Sequence, residues 1–279
     1  MSRENIDHQQ GADMIPELTP IGRVHSPVTD PKKMVRGGVA ATIELDPRYA
    51  DALLNIEEHS HLWILSWFHL SDRETLQVTP GRLDPDAPTY GVFGLRANRR
   101  PNPIALSLVE LVRVEGATLH VDGLDAVDGT PVLDIKSYFE RDCVFSPKAP
   151  VLRPPERGPR YADLVRLARQ HHRELCADLH LGARMALAAE ERIGKLTSPE
   201  LLVRVEGPRC LVDTIQGLTR ARFANPVRLT YVEGPGLGVT VWEKPGARLV
   251  ISATDSAAGR DDWALDAVGD EELFVIEEA

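Results

Sequence analysis

Arg96-Ala-Asn-Arg-Arg-Pro-Asn-Pro-Ile-Ala-Leu-Ser107 changes character at its middle, and that change points to the architecture. In its first half two prolines flank Asn102, so the backbone is extended and has few free donors. Three arginines lie within five residues of this rigid segment. Guanidinium suits two-point recognition of carboxylate or phosphate, which makes Arg96, Arg99, Arg100 and Asn102 candidates for holding an anionic ligand. From Ile104 the chain alternates as a strand does, Ile104-Ala-Leu-Ser-Leu-Val109.

Outward from there, similar alternations recur in Ala41-Thr-Ile-Glu-Leu45 and Thr118-Leu-His-Val121. A short helix is expected from about Pro47 to Ile56, with Tyr49, Ala52, Leu53 and Ile56 at helical spacing. Val127-Asp-Gly-Thr130 reads as a tight turn, since Asp-Gly is a strong hairpin signal. In the strand after it Asp134, Lys136 and Tyr138 share one face, with Leu133 and Ile135 on the other. Alone, that polar row fits a solvated face with a surface ion pair; beside the arginine loop, a functional face is preferred. His59-Ser-His61 opens an apolar run, and His61 reads as a structural hydrogen-bonder rather than a metal ligand. Phe68 and His69 end that run where a strand meets its loop, which makes them site candidates.

Composition fits an ordinary enzyme-sized chain. At 279 residues and 43% hydrophobic it can bury a sizeable core and divides naturally into two domains. No apolar run approaches membrane-spanning length, so no membrane partner is expected. The start, Met1 to Gln10, is too polar for a signal peptide, and a cytoplasmic location is the expectation. Cys143, Cys176 and Cys210 are too far apart in sequence to suggest a disulfide framework. No glycine-rich phosphate loop is present, which excludes the usual dinucleotide and NTP enzymes. The net charge is −10, and residues 15–145 hold 13 Lys and Arg against 19 Asp and Glu. That acidity argues against extensive RNA contact. The best local basic patch is Lys32, Lys33 and Arg36 with Arg96, Arg99 and Arg100.

The order and spacing of six segments resemble TsaA/TrmO-type proteins, over about residues 18–145. They are Pro20-Ile-Gly-Arg-Val-His-Ser-Pro27, His59-Ser-His-Leu-Trp-Ile64, Phe68-His69, Gly91-Val-Phe93, Arg100-Pro-Asn-Pro-Ile104 and Asp128-Gly-Thr-Pro-Val-Leu-Asp-Ile-Lys136. The resemblance implies a small antiparallel β-barrel and S-adenosylmethionine as methyl donor, bound close to a dimer interface. It also implies N6-methylation of threonylcarbamoyladenosine in tRNA. Two positions depart from the family pattern: Gly94-Leu-Arg-Ala97 stands for Ala-Thr-Arg-Ser, and Ala105 for glycine. On this reading Arg96 takes an anionic contact, while the backbone of Gly123, Leu124, Asp125 and Ala126 takes the adenine edge. Leu106 packs the adenine face, and Phe68 and His69 complete the donor site. Arg36, Arg99, Arg100 and Asn102 are left for substrate. Asp128, Asp134, Lys136 and Tyr138 are left for orientation or proton removal. The apolar run Leu62-Trp-Ile-Leu-Ser-Trp-Phe68 suggests a homodimer through the barrel, with one of Trp63 and Trp67 filling the barrel and Leu62 and Ile64 facing outward.

The expected organisation is a disordered leader over 1–16, the barrel over 17–145, a proline-rich linker over 146–158 and an α+β domain over 159–279. Tyr161 to Ile193 reads as helix in one or two pieces, with Leu164, Leu167, Leu175 and Leu179 along a stripe. Strand-like runs follow at 201–205, 227–232 and 248–252, and the acidic last twenty-five residues are expected to cover an edge. This half resembles the FmdE-like domain of formylmethanofuran dehydrogenase in His172-Arg-Glu-Leu-Cys-Ala-Asp-Leu-His-Leu-Gly-Ala-Arg-Met-Ala186 and Cys210-Leu-Val-Asp-Thr-Ile-Gln216. Glu174 stands where the family has its second histidine. His172, Glu174, Cys176 and Cys210 are compatible with a mixed zinc-type site, although buried cysteines acting as small hydrophobes is the preferred reading. Two other functions stay open: methylation of a small molecule or metalloid, with the second domain supplying substrate or metal, and a non-enzymatic module that binds S-adenosylmethionine.

Overall fold

The strand alternations of the first half close on themselves. The computed structural model describes residues 17–278 apart from Arg82, Ser146, Lys148 and Val151, so the expected leader lies outside the described residues. Strands β1 (Gly22–His25), β2 (Val39–Leu45), β3 (His61–Trp67), β4 (Gln77–Val78), β5 (Tyr90–Gly91), β6 (Ile104–Glu115), β7 (Thr118–Leu124) and β8 (Pro131–Ser137) come in that order. Six of them form a closed antiparallel barrel in the order β1-β2-β7-β6-β3-β8, while β4 and β5 pair separately. The chain divides into two compact units. One comprises 17–78 and Thr89–Cys143; the other comprises Thr79–Pro88 and 144–278, so a loop expected inside the first domain falls with the second unit.

Inward positions of the barrel are apolar and closed to solvent: Val24, Ile43, Leu62, Ile64, Val109, Leu119, Leu124 and Val132 are all at most 1% exposed. Each such side chain contributes about 1.5–3 kcal/mol of hydrophobic stabilisation. The phase of β3 corrects the sequence expectation. Leu62 and Ile64 fill the barrel, and both Trp63 and Trp67 face outward. The partner strand explains this: β6 offers small Ala105 and Ser107 inward and Ile104, Leu106 and Leu108 outward, so β3 meets it with its aliphatic face inside. A register shift opposite Leu65 and Ser66 also changes β8, where Val132 and Ile135, rather than Leu133 and Ile135, pack against the core.

Two local expectations change as well. The Asp-Gly turn forms, with Gly129 at φ +76° and Thr130 N donating to the Val127 carbonyl, but it makes no hairpin. Amides of Asp128 and Gly129 donate to carbonyls of Val28 and Val24, and this ties the turn to β1. β8 therefore enters between β1 and β3 and does not fold back on β7. The short helix expected near Pro47 is two 3-10 turns, Pro47–Leu53 and Ile56–Glu58, interrupted at Asn55 with φ +62°. Leu53 and Ile56 are its buried anchors.

The second unit is α+β. After α1 (Arg157–His172) and α2 (Ala177–Ile193) come β9 (Leu202–Gly207), α3 (Arg209–Thr219), β10 (Leu229–Glu233), β11 (Val239–Lys244) and β12 (Ala247–Ala253). A single-turn α4 (Asp270–Leu273) leads into β13 (Phe274–Glu278), and the sheet order is β10-β9-β11-β12-β13. The helical stretch is broken at Arg173, a left-handed residue at φ +70°, so Leu175 lies in the break, exposed, and is not part of a stripe. The acidic tail does more than cover an edge, because β13 pairs with β12 and becomes the edge itself. Glycines set the helix spacing. A Cβ at Gly182 would lie 2.8 Å from Thr214 Cγ2, and one at Gly217 would lie 2.7 Å from His171 Cβ. Arg184, wholly buried, donates to the Asp270 carboxylate and to the carbonyls of Trp263 and Val268.

Candidate functional site

The strand registers bring most of the candidates to one end of the barrel. β3 and β7 finish there, while β2, β6 and β8 begin there. That rim carries Arg36 and Gly38 ahead of β2, Phe68 and His69 after β3, and Arg100 and Asn102 ahead of β6. It also carries Gly123 to Ala126 at the end of β7, and Asp128 ahead of β8. Gly38 (φ +77°) lies so close to the β7 backbone that a Cβ there would sit 2.4 Å from the Gly123 carbonyl carbon. Gly123 itself is at φ +86°. Leu124 and Ala126 are buried, whereas Asp125 is exposed and accepts a hydrogen bond from the Ser107 hydroxyl. Ser66, fully buried on the inner face at the same end, has a hydroxyl with no hydrogen-bond partner among the described residues.

A second group lies on the outer wall around Trp63. Trp63 stands between Leu108 on β6 and Lys136 on β8, and Leu65 between Leu106 and Asp134. Arg96 lies over the Trp63 ring at 6.0 Å, Arg73 lies over the Trp67 ring at 5.4 Å, and Tyr138 is tilted against Trp63 at 5.9 Å. Lys136 Nζ meets Asp134 at 2.7 Å, so the polar row on β8 contains the ion pair that a solvated face would have. Burial, then the nearby Cys143 and Asp142, pushes the Tyr138 phenol above its ordinary value, so it stays protonated at neutral pH. Leu106 is 44% exposed.

The remaining candidates have distinct surroundings. Arg100 donates to the carbonyls of Val92, Leu95 and Ala97, which makes it the clamp that shapes the arginine loop. Arg96 and Arg99 are exposed. The Thr75 hydroxyl, the Glu74 amide and Arg99 hold the Asp72 carboxyl below its usual range. Asp128 accepts from the Ser26 amide at 3.1 Å and lies 3.9 Å from His25 Nδ1. Asn102 and His69 are exposed at the rim, and Phe68 packs against the barrel core.

In the second unit three of the four candidate ligands converge. One donor atom each from His172, Cys176 and Cys210 lie within 4.8 Å of one another, and Glu174 is exposed outside that cluster. The left-handed turn at Arg173 puts Glu174 in the interhelical loop, which explains its separation. His172 Nδ1 is 2.7 Å from Asp213, and its Nε2 is 3.4 Å from Cys176 Sγ. Burial, then Cys176 and Asp178 beside it, pushes the Cys210 thiol up. Asp178 is likewise raised by burial, opposed by His172.

Residues 24–143 match the family model described as the tRNA-methyltransferase O N-terminal domain, and 171–258 match the FmdE model, described as molybdenum formylmethanofuran dehydrogenase operon. A probable S-adenosyl-L-methionine-binding protein of Methanothermobacter thermautotrophicus is 41% identical over 134 residues, which is 46% of this chain and 94% of that protein. The chain belongs to the tRNA-methyltransferase O family. A protein of the same description from Archaeoglobus fulgidus is 33% identical over 223 residues, 76% of this chain. The chain spans 60% of that relative's length. A tRNA (adenine(37)-N6)-methyltransferase of Mus musculus is 47% identical over 90 residues, 32% of this chain and 20% of that protein.

Within this chain, the sequence reading named Trp63 only for the apolar run of a dimer and missed Ser66, Ser107 and Asp213 as parts of the candidate sites. The small residues alternating with leucines along β6 were the signal that sets the phase of β3. Cys210 and Asp213, three apart, share a helix face, and that spacing was the signal for Asp213.

Proposed function

We propose that the protein is an S-adenosylmethionine-dependent methyltransferase whose acceptor is N6-threonylcarbamoyladenosine in tRNA. The gathering of the arginine loop, the β7 end and the Asp128 turn at one barrel rim is the observation that carries this reading. The names of the relatives support the donor, and the mouse relative's name supports a tRNA adenine as acceptor. The rim suits such a ligand. The glycine-lined backbone of Gly123 to Ala126 is available for the edge of a base, and Leu106 offers an apolar flank on the outer wall. When bound, S-adenosylmethionine supplies an electrophilic methyl group.

The chain's own residues then align and orient. Arg96, exposed beside Trp63, takes a carboxylate or phosphate. Arg36, Arg99 and Asn102 guide the RNA, which makes the basic character of this end local within an acidic protein. The acceptor nitrogen must lose its proton at or before attack. Asp128 is the better base: the Ser26 amide orients it at the rim, whereas Asp134 is engaged by Lys136. Tyr138 and Lys136 orient the acceptor. A homodimer completes the reading, with a second copy covering Trp63, Leu65, Trp67, Ile104, Leu106 and Leu108, an outward apolar strip on β3 and β6.

Calorimetry with S-adenosylmethionine, and nucleoside mass spectrometry after incubation with tRNA lacking the methyl group, test both halves. Donor binding that falls about 10- to 100-fold in Arg96→Ala is expected, the scale of a charge-assisted hydrogen bond. Methylated threonylcarbamoyladenosine is the expected product, abolished in Asp128→Asn. Absence of donor binding by the intact chain would overturn the reading. Donor binding without a tRNA product would leave the small-molecule alternative. Light scattering should give twice 30.8 kDa.

A further inference from the structure

We propose that Phe93 is a stacking platform for an unpaired nucleobase of the RNA that carries the acceptor adenine, on the same loop as the exposed arginines Arg96 and Arg99. The inference rests on the methyl-transfer reading with an RNA acceptor, and adds to it a residue and a mode of recognition. Phe93 is 81% exposed, whereas Val92 beside it is 1% exposed. A ring left in water forgoes the stabilisation that burial would bring, so the barrel gains nothing by displaying it.

The backbone that carries the ring is pinned on both sides. Ahead of it β5 pairs with β4, Gln77 opposite Gly91, and the Val92 amide donates to the Leu76 carbonyl at 3.0 Å. Val92–Gly94 then make a 3-10 turn. Arg100 donates to the Val92 carbonyl at 2.8 Å and to the Leu95 carbonyl at 2.6 Å, so its guanidinium grips the chain before and after Phe93. A ring on so fixed a backbone has little left to order on binding beyond its own side-chain torsions.

The surrounding charge selects the occupant. From Ala87 to Val109 the chain has three arginines and no carboxylate, inside a protein of net charge −10. Asp72 is the carboxylate that faces Arg99, and it is already engaged by the Thr75 hydroxyl and the Glu74 amide. An exposed phenyl ring among guanidiniums suits a partner with flat apolar faces and an anionic backbone. Unpaired RNA has both, because every base offers a π-face and phosphates flank it. The N6 atom of adenine lies on the base-pairing edge, so the acceptor must be unpaired or drawn out to react, which leaves faces of its strand neighbours free. A second copy of the chain is the rival occupant, and for that contact an aliphatic side chain would serve as well as a ring.

Fluorescence anisotropy of a labelled RNA hairpin with adenine in its unpaired loop, measured on the full chain without donor, tests the inference. Phe93→Leu should weaken binding about 5- to 150-fold, the scale of one lost base stack. Phe93→Trp should restore it. The dependence of affinity on salt should keep its slope in Phe93→Leu, because stacking releases no counterions, whereas Arg99→Ala should reduce that slope by about 1. The unfolding midpoint, the affinity for S-adenosylmethionine and the light-scattering mass of Phe93→Leu should match those of the wild type. Hairpin binding that survives Phe93→Leu overturns this inference alone, as does Phe93→Trp binding as weakly as Phe93→Leu. A Phe93→Leu variant that loses donor affinity, or falls to a lower mass than the wild type, also overturns it, by assigning the ring to the donor site or to a contact between copies. Wild-type protein that does not bind the hairpin overturns both this inference and the RNA reading beneath it.

Discussion

On the barrel wall Lys136 and Asp134 meet at 2.7 Å with 62% and 47% of their side chains exposed. In the second unit Arg184 is wholly buried and grips Asp270, which is 17% exposed, through two nitrogens. The chemistry of the pair is the same and its consequence is opposite. The wall pair is screened by water and held by long, mobile side chains, so it is free to exchange its partner for a ligand. The buried pair has no such freedom, since Arg184 left without Asp270 is an uncompensated charge out of water, and Asp270 is held by Arg157 as well. Where the molecule displays charge it can bind; where it hides charge it is fastening helices and loops together.

That contrast makes the largest expected effect a stability effect. Arg184→Ala strands the carbonyls of Trp263 and Val268 and leaves Asp270 with Arg157 as partner; it should cost the second unit about 2–5 kcal/mol, read as a shifted urea midpoint for a transition followed at Trp263. Lys136→Met should change the barrel transition by less than about 1 kcal/mol. Similar shifts for the two variants would break the comparison.

A second test concerns β3, whose two faces carry different duties. Ile64→Ala opens a cavity among fully buried neighbours and should destabilise the barrel by about 2–5 kcal/mol. Trp63→Ala removes an outward ring, so its expected effects are a light-scattering mass near 30.8 kDa and weaker donor binding, with the barrel midpoint moved much less. If Trp63→Ala unfolds the barrel as readily as Ile64→Ala does, then the outward strip is core and not an interface.

The same strand shows what the sequence could and could not say. The alternation of β6 was legible because period-two patterning survives without any knowledge of partners, whereas the β-barrel was an implication of the family resemblance. The phase of β3 was not, because Leu62-Trp-Ile-Leu-Ser-Trp-Phe68 is apolar on both faces and only its neighbour decides which face turns in. The missing hairpin at Val127 to Thr130 is a related case: the local turn was right, but long-range amide contacts to β1 set the pairing. In the second unit His172, Cys176 and Cys210 were named through the FmdE-like resemblance. Glu174 could not be told from them until the turn at Arg173 set it apart, and Asp213 has no role until α3 packs beside His172.

The smallest effect sets two phenols against each other. Burial raises both Tyr138 and Tyr161, and Tyr161 is pushed up to about 12. In each case the folded state holds its proton beyond the value near 10 at which the unfolded chain ionises. Below that pH both states are protonated and the groups contribute no pH dependence. As pH rises past about 10 the unfolded chain releases protons first, so stability falls, and for Tyr161 the fall continues to about 12. Tyr161→Phe should therefore flatten the alkaline limb of the second unit's unfolding midpoint, apart from a constant loss from its 2.9 Å contact with His180. Tyr138→Phe should flatten the barrel's limb less. Because a protonated Tyr138 donates and does not abstract, methyl transfer should show no ionisation attributable to it below pH 10 or so. A tyrosinate absorption that appears below that pH and vanishes in Tyr138→Phe would make Tyr138 the base in place of Asp128.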